Sequence, residues 1–340
     1  MRLKTHTLFL SIIFVVALFQ NCNTVTENSI VKTKDTIQIN EFETLINYLE
    51  NNNNYINSDM FPSLISTKEV LENIGNNKYL ILDLREKEAF SLEHIEGSKN
   101  IKMNELVQYF DSKINYLDYE KIILICFSGQ NASYATGVLR LLGYNNVYAL
   151  QFGLGYWNPE IAYSVWGKNI SSDYKNVLDY NNYKKAQKGK QPKINTGLTN
   201  PKEILKARAE QVLNNGYKNY LVNMTEVYLN GSAYYIVNYW DKDKYNAGHL
   251  VGAIQYTPKK SLLKNTYLYT LPTDKTIVVY GSTGLDEAFV VAFLNILGYK
   301  AKGLIYGANG FMHNILVKNN WNPYLKENVH NYPLVGYLNQ

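Results

Sequence analysis

Cys126 stands in the run CFSGQN, where an apolar stretch gives way to a polar loop, and a thiol in that setting can act as a nucleophile. The 340-residue chain has two cysteines, Cys22 and Cys126, and only the second lies inside a folded pattern, so no internal disulfide framework stabilises the fold. The bland use of a free cysteine is as a small buried apolar residue. Its surroundings here favour chemistry. Ile122 to Cys126 reads as a short buried strand, and a helical pattern runs from about Ala132 to Leu142. The C-terminal end of a parallel strand, just before a helix start, is where open α/β sheets bind ligands. Gly129 frees the loop to curl successive N–H groups inward as an anion nest. Those donors and the helix dipole are expected to lower the thiol pKa from its ordinary value of about 8.5.

The elements that must hold this loop follow from the hydrophobic pattern. Ser66 with Glu69 makes a capping box that opens a helix through Leu71 and Ile74, and YLILDLR from Tyr79 reads as a buried strand. A helical stretch at Leu106 to Ile114 and a strand at Val147 to Leu150 complete the set. Apolar strands alternating with helices imply a parallel sheet covered on both faces. A second unit repeats the scheme with YYIVNYW, TIVVY, a helix from Glu287 to Leu297, and GLIYG. The pairs His94 and His249, Gly97 and Gly252, Gly129 and Gly284, and Gly143 and Gly298 all stand 155 residues apart, which identifies an internal repeat without gaps.

The same offset carries Asp83 to Asn238, Arg85 to Trp240, and Cys126 to Gly281. The second loop, GSTGLDEA, therefore lacks the nucleophile. Ser282 and Thr283 have no adjacent base, and Asp286 and Glu287 would repel anionic substrates. Because His94 recurs as His249 beside a loop without cysteine, it reads as an organiser of its turn rather than a general base. Asp83 and Arg85 read as a hydrogen-bonded brace for neighbouring loops, with substrate binding as the alternative. Trp157 and Phe311 read as core aromatics.

The motifs ILDLRE with Asp83 and Arg85, HIEG followed by Asn100 and Ile101, CFSGQN, and LQFGLGYW resemble the rhodanese, or sulfurtransferase, family. The resemblance covers roughly Ile65 to Asn158 and, more weakly, Tyr220 to Asn322. It implies two tandem rhodanese-like domains, each a parallel sheet flanked by helices. It further implies that Cys126 accepts a sulfane sulfur from a small donor and holds it as a persulfide. The cradle would be Phe127, Ser128, Gly129, Gln130 and Asn131, supported by Asp83, Arg85 and His94. The sulfur would pass to a thiol or other nucleophile, with no metal or organic cofactor, and the donor would be of thiosulfate or mercaptopyruvate type. Two-domain sulfurtransferases usually keep the cysteine in the second domain; this chain reverses that order. Phosphatases of the same fold clamp a tetrahedral oxyanion with an Arg six positions after the cysteine, and Ala132 stands there instead. The competing reading is a module without turnover, serving redox sensing or protein binding through a partner the sequence does not identify.

Arg2 and Lys4 followed by the apolar run Leu8 to Phe19 read as an export signal, and Cys22 after it resembles a lipidation site. The expected location is the bacterial cell envelope, lipid-anchored or periplasmic. The expected segments are 1–22 for export, 23–60 as spacer, 61–166 as the first domain, 167–199 as polar linker and 200–330 as the second domain. Lys184, Lys185, Lys188, Lys190 and Lys193 lie in that linker and read as solvated. The formal net charge of +5 is spread along the chain, too thinly for the clustered basic face of a nucleic-acid binder.

Overall fold

A computed structural model describes residues 39–337 apart from 53, 175 and 177; the export segment and Cys22 lie outside these residues. Among the described residues ten strands form two five-stranded sheets, and every strand pairing within the sheets is parallel. The first sheet holds β1 (Leu64–Ile65), β2 (Tyr79–Asp83), β3 (Lys99–Asn100), β4 (Lys121–Ile125) and β5 (Val147–Leu150), in the order β1-β5-β4-β2-β3. The second holds β6 (Leu221–Val222), β7 (Tyr234–Asn238), β8 (Ile254–Gln255), β9 (Thr276–Tyr280) and β10 (Ala301–Leu304), in the order β6-β10-β9-β7-β8. The two orders are the same, as a repeat demands. The pairing runs from Tyr79 opposite Lys121 to Asp83 opposite Ile125 in the first half, and from Tyr234 opposite Thr276 to Asn238 opposite Tyr280 in the second.

The central strands are apolar and buried almost end to end, since helices cover both faces and no side of the strand meets water. Among the helices, Gln130–Leu141 and Leu285–Ile296 matter most. They pack against each other so closely that a Cβ on Gly137 would stand 3.0 Å from the Phe289 Cα. One hydrophobic cluster runs through both, from Leu124 and Val138 to Phe289 and Val279, so the two halves share a core. The capping box forms only in part. Ser66 accepts from the Glu69 amide at 3.2 Å, but the Glu69 carboxylate turns away to Lys121 and Tyr79.

Three stretches depart from the sequence reading because long-range burial overrides their polar composition. The second part of the 23–60 spacer is a helix, Glu41–Asn51, capped by Asn40. Its Phe42, Leu45, Ile46 and Leu49 are buried, and Phe42 meets Tyr269 and Tyr299 of the second half edge-on or tilted. The 167–199 linker is laid against the second half: Asp179 and His249 exchange backbone bonds of 2.8 and 3.0 Å. Lys185 lies over the rings of Tyr256 and Tyr267 and is half-buried, whereas Lys184, Lys188, Lys190 and Lys193 are exposed as expected. The chain after residue 330 returns to the first half, where Val335 and His94 exchange two backbone bonds of 2.8 Å and Leu334 joins the core. The tail of each half thus straps the His turn of the other. No helix among the described residues is long and apolar enough to cross a membrane.

Candidate active site

β4 delivers Cys126 to the C-terminal edge of the first sheet, and Gly129, at φ +86°, turns the chain into the helix Gln130–Leu141. The Sγ atom accepts from the Gly129 amide at 3.2 Å and from the Ala132 amide at 3.4 Å. What keeps these N–H groups inward is the way the loop's carbonyls are occupied. Leu154 N donates to Cys126 O at 3.1 Å, and Gly155 N donates to Phe127 O at 3.0 Å. Gly153 allows that approach: at φ +58°, a Cβ there would overlap Cys126 O and lie 2.5 Å from Gly129 N. The sequence reading took LQFGLGYW only as a motif and missed this role of Gly153 and Gly155. Two glycines just past a strand end were the available signal.

The thiol does not have the lowered pKa expected from the loop. Burial pushes it up, and the amides of Ala132, Gly129, Asn131 and Ser128 pull it back only in part. Cys126 is 4% exposed, so removing a thiolate from water outweighs the partial charges of neutral donors.

The other loop residues divide in their roles. Phe127 is 40% exposed at the mouth, with the Arg85 guanidinium 5.0 Å from its ring centre. Ser128 Oγ faces the Gln130 amide at 3.4 Å and Nε2 at 3.3 Å, so it stays within the loop. Gln130 is buried, and its Oε1 accepts from Tyr306 N of the second half at 3.1 Å. Asn131 turns its backbone amide toward the sulfur, and its side chain is half-buried.

Asp83 and Arg85 form a buried two-pronged pair, with Arg85 Nη2 2.8 Å from Asp83 Oδ2. Arg85 also donates to Glu93 O at 2.6 Å, and Asn100 bonds the carbonyls of both Asp83 and Arg85, which makes this group a brace between β2, β3 and the His94 turn. His94 is stacked on Phe90 at 4.0 Å with Nδ1 2.8 Å from Phe90 O; His249 repeats this on Tyr245. Each imidazole has its Nδ1 engaged with its own turn, and His249 Nε2 also meets Asn181 O at 3.1 Å. Trp157 and Phe311 are fully buried.

Tyr306 is a site residue that sequence reasoning passed over. It holds φ +62°, a left-handed backbone rare for a ring-bearing residue, and Asn169 donates to its hydroxyl at 3.1 Å. Its amide meets the first loop at Gln130 Oε1, and burial and, after it, the charge of Cys126 push its phenol pKa up.

Residues 66–160 match the family model of the Rhodanese-like domain. The rhodanese-like stretch covers β2 to β5, Cys126 and its loop. Over 94 residues the chain is 28% identical to a thiosulfate sulfurtransferase GlpE of Ectopseudomonas mendocina (strain ymp), covering 27% of this chain and 82% of that protein. Among solved structures, the thiosulfate sulfurtransferase of Pseudomonas aeruginosa aligns over 86% of this chain at 13% identity and a TM-score of 0.28. This chain spans 47% of that structure's length. SseA of Escherichia coli, described as a 3-mercaptopyruvate sulfotransferase of the "Rhodanese" fold, aligns over 71% of this chain and 97% of its own, at 16% identity and a TM-score of 0.26.

Proposed function

We propose that the protein is a sulfurtransferase that carries sulfur on Cys126. The observation that carries this reading is the pair of inward amides, Gly129 N and Ala132 N, focused on one Sγ at a helix start. The GlpE relatives add the sulfurtransferase class, and the family model matches the 66–160 region that holds Cys126. The Cys126 thiolate attacks the outer sulfur of a sulfane donor such as thiosulfate; the new S–S bond forms as the donor's S–S bond breaks and sulfite departs with the electron pair. An acceptor thiolate then attacks the terminal sulfur, and Cys126 leaves as thiolate to the same amides. The ring of neutral donors suits the single negative charge of a persulfide on Cys126. Intact-mass measurement after incubation with thiosulfate, mercaptopyruvate or polysulfide should show about 32 Da added at Cys126. No adduct with any of the three donors overturns the reading.

A second reading is favoured by the burial of the thiol: a partner-binding or redox-responsive domain without turnover. It predicts alkylation of Cys126 slower than that of a free peptide cysteine, with partner capture surviving Cys126→Ala. The N-terminal pattern supports export and tethering at Cys22, and finding the unprocessed chain in the cytosol would remove that proposal.

A further inference from the structure

The second loop is not a vacant copy of the first. Gly281 occupies the position of Cys126, and a Cβ built on it would fall on the Glu287 Oε1 atom and 2.9 Å from its carboxyl carbon. Glu287 is the counterpart of Ala132, and Gly284 the counterpart of Gly129. The two positions whose amides face sulfur in the first half therefore bracket a carboxyl group in the second. Glu287 is 2% exposed, and its Oε2 has no hydrogen-bond partner. It lies in the first turn of the twelve-residue helix Leu285–Ile296, its carboxyl folded back over the helix start, where negative charge is stabilised. The loop keeps its backbone: Gly284 is left-handed at φ +75°, and Ala308 N donates to Gly281 O at 2.8 Å, as Leu154 N and Gly155 N hold the first loop's carbonyls.

We propose that the second domain retains the anion seat of the fold and fills it with its own Glu287 carboxyl, so that removing this side chain opens the seat to a small external anion. Burial, then the charge of Asp286, raises the Glu287 pKa, and the amides of Glu287 and Gly284 oppose the shift. This direction agrees with a carboxyl held dry in the seat. The inference concerns the second half and stands whether or not Cys126 carries sulfur.

Two measurements on the full chain test it. In crystals soaked with iodide, anomalous scattering should locate an ion between the residue 284 and residue 287 amides in Glu287→Ala, and none there in the unsubstituted protein or in Glu287→Gln, whose amide oxygen keeps the seat filled. The second is a thermal cycle. Gly281→Ala alone should lower Tm because its methyl collides with the carboxyl, while the Gly281→Ala, Glu287→Ala pair should melt at least about 2 °C above the sum of the two single effects. Iodide in the unsubstituted seat, no iodide in Glu287→Ala, or additive Tm changes overturn the proposal. Should Glu287→Ala fail to fold, the structure of Glu287→Gln decides, since a side chain turned out of the seat there also overturns it.

Discussion

The loops after β4 and β9 share a backbone and differ in what the backbone holds. In the first, the amides of Gly129 and Ala132 face a sulfur atom supplied by the strand end. In the second, the strand end is Gly281, and a carboxyl from the helix fills the space. The inward ring of N–H groups belongs to the fold and its glycines, whereas the proposed sulfur chemistry belongs to one side chain. A ring of inward N–H groups does not stay empty in a buried setting, because orphaned amide donors cost about 1–3 kcal/mol each. The second loop, which has no cysteine, holds the Glu287 carboxyl there instead.

The two loops should differ most in the effect of Cys126→Ser. That change should abolish the roughly 32 Da adduct entirely, since the second loop has no sulfur to receive it. An adduct that survives, mapped by peptide mass, would assign the chemistry elsewhere.

Gly153→Ala and its counterpart Gly307→Ala come next. Each glycine has positive φ and lies against the loop of its own half; a Cβ on Gly307 would stand 2.7 Å from Gly284 N. Both substitutions should destabilise by roughly 1–3 kcal/mol or more, read as denaturant midpoint. Only Gly153→Ala should also slow sulfur loading. Equal loading in the two variants would show that the first loop does not depend on its support.

Cys126 provides a pH test. Its folded pKa is raised by burial, so thiolate forms at higher pH than in a free peptide, and iodoacetamide alkylation should rise through a midpoint above about 8.5. A midpoint below that value would mean that the amides dominate and that burial does not. The smallest effect is expected at the junction of the halves. Gln130→Ala removes the bond from Tyr306 N and should cost about 1 kcal/mol, detected as a lower Tm with the Cys126 adduct still formed.

Much of the first site was legible because its determinants are local. Cys126, Gly129 and the apolar strand before them lie within eight residues, and strand and helix periods are read from neighbours. The helices Gln130–Leu141 and Leu285–Ile296 begin two residues earlier than the patterns from Ala132 and Glu287 suggested, because each polar or apolar first residue is buried in the junction between halves. The thiol's pKa was misread for the same reason: the loop's amides are visible in sequence, and the depth of burial is not. Helix Glu41–Asn51 looked like spacer because its apolar face meets Tyr269 and Tyr299, more than two hundred residues away.

By itself the sequence determined the repeat, its 155-residue register, the two sheets and the asymmetry of a cysteine in one loop and none in the other, since all of these are carried by residue type and spacing. Only the tertiary structure decided that each tail straps the opposite His turn, that Tyr306 and Gln130 join the halves at the sulfur, and that Glu287 sits where a second cysteine side chain would have been. Spacing encodes periodic hydrogen bonding along a chain; which buried polar atom meets which orphaned donor is settled by packing between segments far apart in it.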